Sequence, residues 1–131
     1  MGYGMGYEMG YGIRYIAVLD TETNYRDEEM SIGDVIADAE DFTPVDSRYY
    51  ILDPQYRCGG IFSAELMMES KERNLMGSRE DAICALDAWM KGHSVDALFA
   101  YNAAFDKKHL PEFGRYRWFD IMKLAAYRQY N

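Results

Sequence analysis

The chain has 131 residues, 49% of them hydrophobic and 27% charged, which suits one packed domain and excludes a wholly disordered chain. Fourteen Lys and Arg against 22 Asp and Glu give a net charge of −8. A protein this acidic lacks the broad basic face needed to coat duplex DNA, though carboxylates holding a divalent metal would still let it act on nucleic acid.

Residues 1–12 read MGYG, MGYE, MGYG, a repeat whose glycines have too much backbone entropy to lose for a stable helix. A flexible Gly/Tyr/Met-rich tail is expected there, and an ordered domain over 13–131. Residues 13–19 (IRYIAVL) are β-branched and aromatic and predict a buried strand ending before Asp20. Ser31–Ala39 and Ser47–Leu52 read as the second and third strands, with a turn at Thr43–Asp46 and a stop at Asp53-Pro54. Short connections make these three an antiparallel meander.

Gln55 to about Gly77 is polar and contains glycine, with a short helix expected over Ser63–Glu69. Ser78 then fits an N-cap, Glu80 and Asp81 suit the first turn, and Ala82, Ile83, Leu86, Trp89 and Met90 recur at helical spacing. That predicts an amphipathic helix over 79–91, ended by Lys91 and Gly92. Ala97–Tyr101 follows as a buried strand, Ala103–Leu110 as a short helix stopped by Pro111, Arg117–Phe119 as a last strand, and Ile121–Tyr130 as a last helix. The fold class is α/β: a mixed sheet built from a meander and then helical crossovers.

Apolar runs such as Ile16–Leu19 are far too short to cross a bilayer, and no basic region followed by an apolar stretch opens the chain. Cys58 and Cys84 lack CxxC spacing, so reduced thiols in a cytoplasmic protein are expected. The nine arginines are scattered and outline no basic groove.

Two segments carry chemistry. In Asp20-Thr21-Glu22-Thr23 the acids stand two residues apart, so on extended chain both point to one side. Two crowded carboxylates repel unless a cation neutralises them, and a hard divalent ion prefers such oxygen ligands. Taken alone, DxE also fits a solvated turn with two ordinary acids. In the second segment a strand runs into Asn102, which suits an N-cap, and Asp106 sits one turn into the following helix. A surface acid paired with Lys107 or Lys108 fits that segment equally well.

Together, DTET after the first strand and Asn102-Ala103-Ala104-Phe105-Asp106-Lys107-Lys108-His109-Leu110 at a strand-to-helix junction resemble the first (DxE) and second (NxxFDxxxL) motifs of the DnaQ-like 3′-to-5′ exonucleases, in the ribonuclease-H-like superfamily. Phe119–Ala125 also resembles the segment that follows the second motif. The resemblance implies a nuclease dependent on Mg²⁺ or Mn²⁺, with Asp20, Glu22 and Asp106 as three of the family's four metal-binding acids and a site for two metals, or one in this chain. It implies that Thr21 and Thr23 meet the terminal nucleotide, Asn102 orients the second-motif turn, and Phe105 packs beneath the site. Single-stranded DNA or RNA 3′ ends would be the substrate, with DNA repair as the setting and a homodimer or a polymerase-type partner as company.

The family's third motif, HxxxxD or YxxxD, has no counterpart: Tyr127-Arg128-Gln129-Tyr130-Asn131 brings no aspartate after its tyrosine. The expectation is an exonuclease-like domain lacking its final helix, with a catalytically inactive module that binds nucleic-acid ends or a protein as the alternative. His109 shares a helix face with Asp106 and reads as a surface histidine at a helix end. His93 reads as structural, at the end of the long helix. Asp120 falls at a non-catalytic position of the family. Of the aromatics, Tyr49, Tyr50, Tyr101, Trp89 and Trp118 read as core or sheet-face residues.

Overall fold

The computed structural model describes residues 14–60 and 74–123. Six strands form one sheet: β1 (Tyr15–Thr23), β2 (Glu29–Asp38), β3 (Pro44–Leu52), β4 (Asn74–Gly77), β5 (Val95–Ala100) and β6 (Arg117–Asp120). Two α-helices, α1 (Arg79–Gly92) and α2 (Ala103–His109), and two 3₁₀ turns, Gln55–Cys58 and Pro111–Phe113, complete the described elements, and residues 121–123 are helical where the description ends. The strand order is β4-β3-β2-β1-β5-β6. Only β2 among these runs against its neighbours; β3–β4, β1–β5 and β5–β6 are parallel. The expected meander and crossovers are both present.

Strand β1 runs further than expected. Its pairing with β2 continues through Asp20↔Gly33 and Glu22↔Ser31, so the two acids lie inside the strand and not beyond it. Backbone pairing outweighs the break in hydrophobicity at Asp20. A bulge follows between Glu22 and Thr23 and bends the strand end. Strand β3 starts earlier than its hydrophobic run, at Pro44, because the exposed Pro44–Ser47 stretch pairs with β2. Strand β4 lies in the polar, glycine-containing stretch where no strand is expected; at four residues it offers no alternation to detect. The expected tail over 1–12, the helix over Ser63–Glu69 and most of the helix over Ile121–Tyr130 fall outside the described residues.

Helix α1 forms as its signals predict. Ser78 is extended and its hydroxyl accepts from the Asp81 N–H, satisfying one of the donors a helix start leaves open. His93 caps the C-terminus through its backbone N–H. Ala82, Ile83, Leu86, Trp89 and Met90 are buried, packed on Ala17, Leu19, Ile32, Ile36, Leu52 and Leu98 from the sheet and on Phe113 from the 3₁₀ turn Pro111–Phe113. Leu86, Leu98 and Phe113 are fully enclosed, so this face is the main core. The opposite face carries a smaller cluster, Ile16, Ala37 and Ala97, with Val18, Phe99 and Phe119 against it. Phe99 and Phe119 stack with ring centroids 5.0 Å apart.

Arg79, at the start of α1, ties three parts of the molecule together. It pairs with Glu29 on β2, forms two bonds to Glu112 at 2.6 and 3.0 Å, and donates to the His109 carbonyl at 3.0 Å. Arg57, Arg115 and Arg117 likewise pair with Asp53, Asp87 and Asp96, and Arg48 lies over the Trp89 ring. These cations are spent on neighbouring acids and rings, so they form no basic groove. No described helix is long and apolar enough to cross a membrane.

Candidate active site

Parity on β1 separates its residues cleanly. Ala17 and Leu19 face the main core, with Thr21 next in line, while Ile16 and Val18 face the smaller cluster. Asp20 and Glu22 continue that second row, as the two-residue spacing requires. Asp20 is exposed and Glu22 half-buried. Both lie at the carboxyl end of β1, beside the carboxyl ends of β5 and β6, the edge where open α/β sheets hold their ligands.

Asp106 reaches the same edge from α2. It is 3% exposed, and its Oδ1 accepts two bonds from Thr21, from the N–H at 3.0 Å and from the hydroxyl at 2.7 Å. The second segment therefore closes on the first across 85 residues of sequence, and Asp106 is no surface acid paired with a lysine. Burial pushes the Asp106 carboxyl above the usual range; the Thr21 bonds oppose this and the Asp20 charge adds to it. Asp20, though open to solvent on one side, is partly desolvated by the protein around it, which raises its carboxyl as well. Asp20 and Asp106 are thus close enough to feel each other's charge, in surroundings that disfavour both anions. A divalent cation would reverse that preference, and oxygen donors of the kind it prefers are what these carboxylates supply. Among the described residues no three His, Cys, Asp or Glu side chains already converge as a ready-made metal site.

The remaining expected site residues take different positions. Thr21 is buried and aims both its donors at Asp106, so it orients that carboxylate. Thr23 is half-buried beyond the bulge, where Gly60 approaches so closely that a Cβ there would stand 2.7 Å from the Thr23 carbonyl oxygen. Asn102 does precede α2, but its side chain makes no capping bond. Its backbone is left-handed (φ 68°), a conformation asparagine tolerates better than most residues, and its N–H donates to Asp120 Oδ1 at 3.1 Å. The same Asp120 oxygen accepts from the Met122 N–H at 2.9 Å. Asp120 therefore stitches the turn before α2 to the start of the next helix. Phe105 is half-buried and lies against the His109 ring, with centroids 4.3 Å apart.

His109 is not the surface histidine its sequence position suggests. It is 6% exposed, with Nδ1 2.8 Å from the Phe105 carbonyl and Nε2 2.9 Å from Asp27 Oδ1. Asn24, which no motif marks, organises the β1–β2 connection. Its Oδ1 accepts from the Arg26 and Glu28 N–H groups, and its Nδ2 donates to Glu28 and to the Gln55 carbonyl. The signal was there, since asparagine after a strand favours such a turn. Asp34 is a second residue that no motif marks. It is 1% exposed in the main core, opposite Leu19 and Arg48, and neither carboxylate oxygen has a hydrogen-bond partner among the described residues. Burial drives its carboxyl well above the usual range, with Arg48 opposing.

Comparison with protein-family models gives no match to this chain, and comparison with curated proteins gives none either.

Proposed function

We propose that the chain is a metal-dependent 3′-to-5′ exonuclease with a ribonuclease-H-like fold, acting on single-stranded nucleic-acid ends. One observation carries the reading: the Asp106 carboxylate is fastened to Thr21, directly between the two acids of DTET. The DxE and NxxFDxxxL segments lie 85 residues apart in sequence at Thr21 and Asp106, and they meet at one sheet edge. The meander followed by crossover strands supports the fold half of the proposal. Two free, exposed cysteines, Cys58 and Cys84, suit a cytoplasmic setting.

Asp20, Glu22 and Asp106 would hold the Mg²⁺ or Mn²⁺. When bound, the metal supplies an activated water for attack on the terminal phosphodiester and stabilises the departing 3′ oxygen. Thr21 fixes the Asp106 carboxylate, so that ligand needs no reorganisation on binding. The bulge after Glu22 and the Asn24 turn hold the strand end in shape. The Asn102 turn, pinned by Asp120, sets where α2 begins and hence where Asp106 stands.

The test is release of label from a 3′-labelled single-stranded oligonucleotide with Mn²⁺ or Mg²⁺. Wild type should release it, while Asp20→Asn and an EDTA control should not. Silence from a folded wild type would reject the enzyme and favour a module that only binds nucleic-acid ends or a protein.

A further inference from the structure

We propose that His109 is a protonated latch: an imidazolium that pins the β1–β2 connection to α2, releasing it when the ring loses its proton. The latch rests on geometry and stands independently of the nuclease reading. Each ring nitrogen stands within hydrogen-bond distance of an oxygen that can only accept, the Phe105 carbonyl at 2.8 Å and the Asp27 carboxylate at 2.9 Å. A neutral imidazole has one N–H, so one nitrogen would then aim a lone pair at an oxygen. Only the doubly protonated ring satisfies both contacts.

Charged groups reach this ring from every side. Asp27 comes from the β1–β2 connection and Glu29 from β2. From α1, Arg79 donates to the His109 carbonyl and is itself held by Glu29 and Glu112. From α2, Lys108 lies 3.9 Å from the other Asp27 oxygen, and Asp106 precedes His109 by one turn. Burial alone would lower the affinity of the ring for its proton, but the Phe105 carbonyl, the Asp27 carboxylate and the Glu29 charge outweigh it.

Asp27 is well suited to a releasable hold. It is exposed and left-handed (φ 62°), and its own N–H donates to the Asn24 carbonyl. The connection it belongs to joins β1, which bears Asp20 and Glu22, to β2. Losing the proton on His109 leaves a lone pair facing either Asp27 or Phe105. The first case loosens the connection directly; the second displaces the ring that holds it.

The experiment is a pH titration of the ring nitrogens by long-range ¹H–¹⁵N correlation on the whole chain, where His93 and His109 are the only histidines. Both His109 nitrogens should remain protonated beyond the ordinary histidine value of 6.5. Asp27→Asn, which suits the left-handed backbone, should lower that midpoint. Amide exchange over residues 24–28 in wild type should quicken with the same midpoint. A single neutral tautomer below pH 6.5 would overturn the latch. So would a midpoint that Asp27→Asn leaves in place, or exchange over 24–28 that ignores the titration.

Discussion

Thr21→Val is the perturbation that probes the join between the two motif segments. Valine keeps the shape and β-branching of threonine, so β1 and its pairing with Ile32 should persist. What disappears is the 2.7 Å hydroxyl bond to Asp106, while the backbone N–H bond at 3.0 Å stays. Hydrogen bonds to a charged partner contribute about 1.5–3 kcal/mol, and this one is buried, so a loss of about 2 kcal/mol is expected. For a domain of this size that corresponds to a fall in Tm of roughly 8 °C. The Asp106 carboxyl, relieved of a donor that lowers it, should also titrate higher than in wild type. Calorimetry with and without Asp106→Asn in the same background reads the coupling, because the asparagine carbonyl can still accept from Thr21 but carries no charge. A Thr21→Val chain that melts within about 1 °C of wild type, well inside the shift one kcal/mol would give, would refute the claim that this bond holds the segments together.

Three further outcomes follow from the same geometry. Asp106→Asn should leave the metal-free chain at least as stable as wild type, since the buried charge and its repulsion with Asp20 both go. Mn²⁺ should raise the Tm of wild type and not that of the variant; a rise that persists in the variant would place the metal elsewhere. Gly60→Ala should cost roughly 1–3 kcal/mol in urea unfolding, because the new Cβ would stand 2.7 Å from the Thr23 carbonyl oxygen and the backbone must shift; a neutral result would contradict that packing. Asp34 binds its proton more tightly folded than unfolded, so its contribution to stability is full below pH 3.8 and falls as pH rises through the folded value. Asp34→Asn should therefore gain on wild type as pH rises, and parallel stability–pH curves would refute it.

The elements with strong local signals were legible in the sequence. Helix α1 announced itself through Ser78, the first-turn acids and five apolar residues at helical spacing, and β1 through its β-branched run. The acids of both motif segments were legible as types and spacings. Their meeting was not, since Thr21 and Asp106 are 85 residues apart and only the sheet brings β1 and α2 together. The environment of His109 is hidden for the same reason: its helix-end position suggests solvent, while the Asp27 that meets its ring lies 82 residues earlier. Strand β4 was missed because four residues at an edge depend on pairing with β3 and not on their own pattern. Asp34 was invisible because a polar residue in a strand reads as solvent-facing, yet register sets it opposite Leu19 on the core side.

The most direct test of the central claim is paramagnetic line broadening in ¹⁵N spectra as Mn²⁺ is added to the whole chain. A metal held by Asp20, Glu22 and Asp106 should first erase the amide signals of residues 20–22 and 105–107, and leave those of α1 sharp. Broadening centred on any other acids, or spread evenly over the acidic surface, would contradict the account.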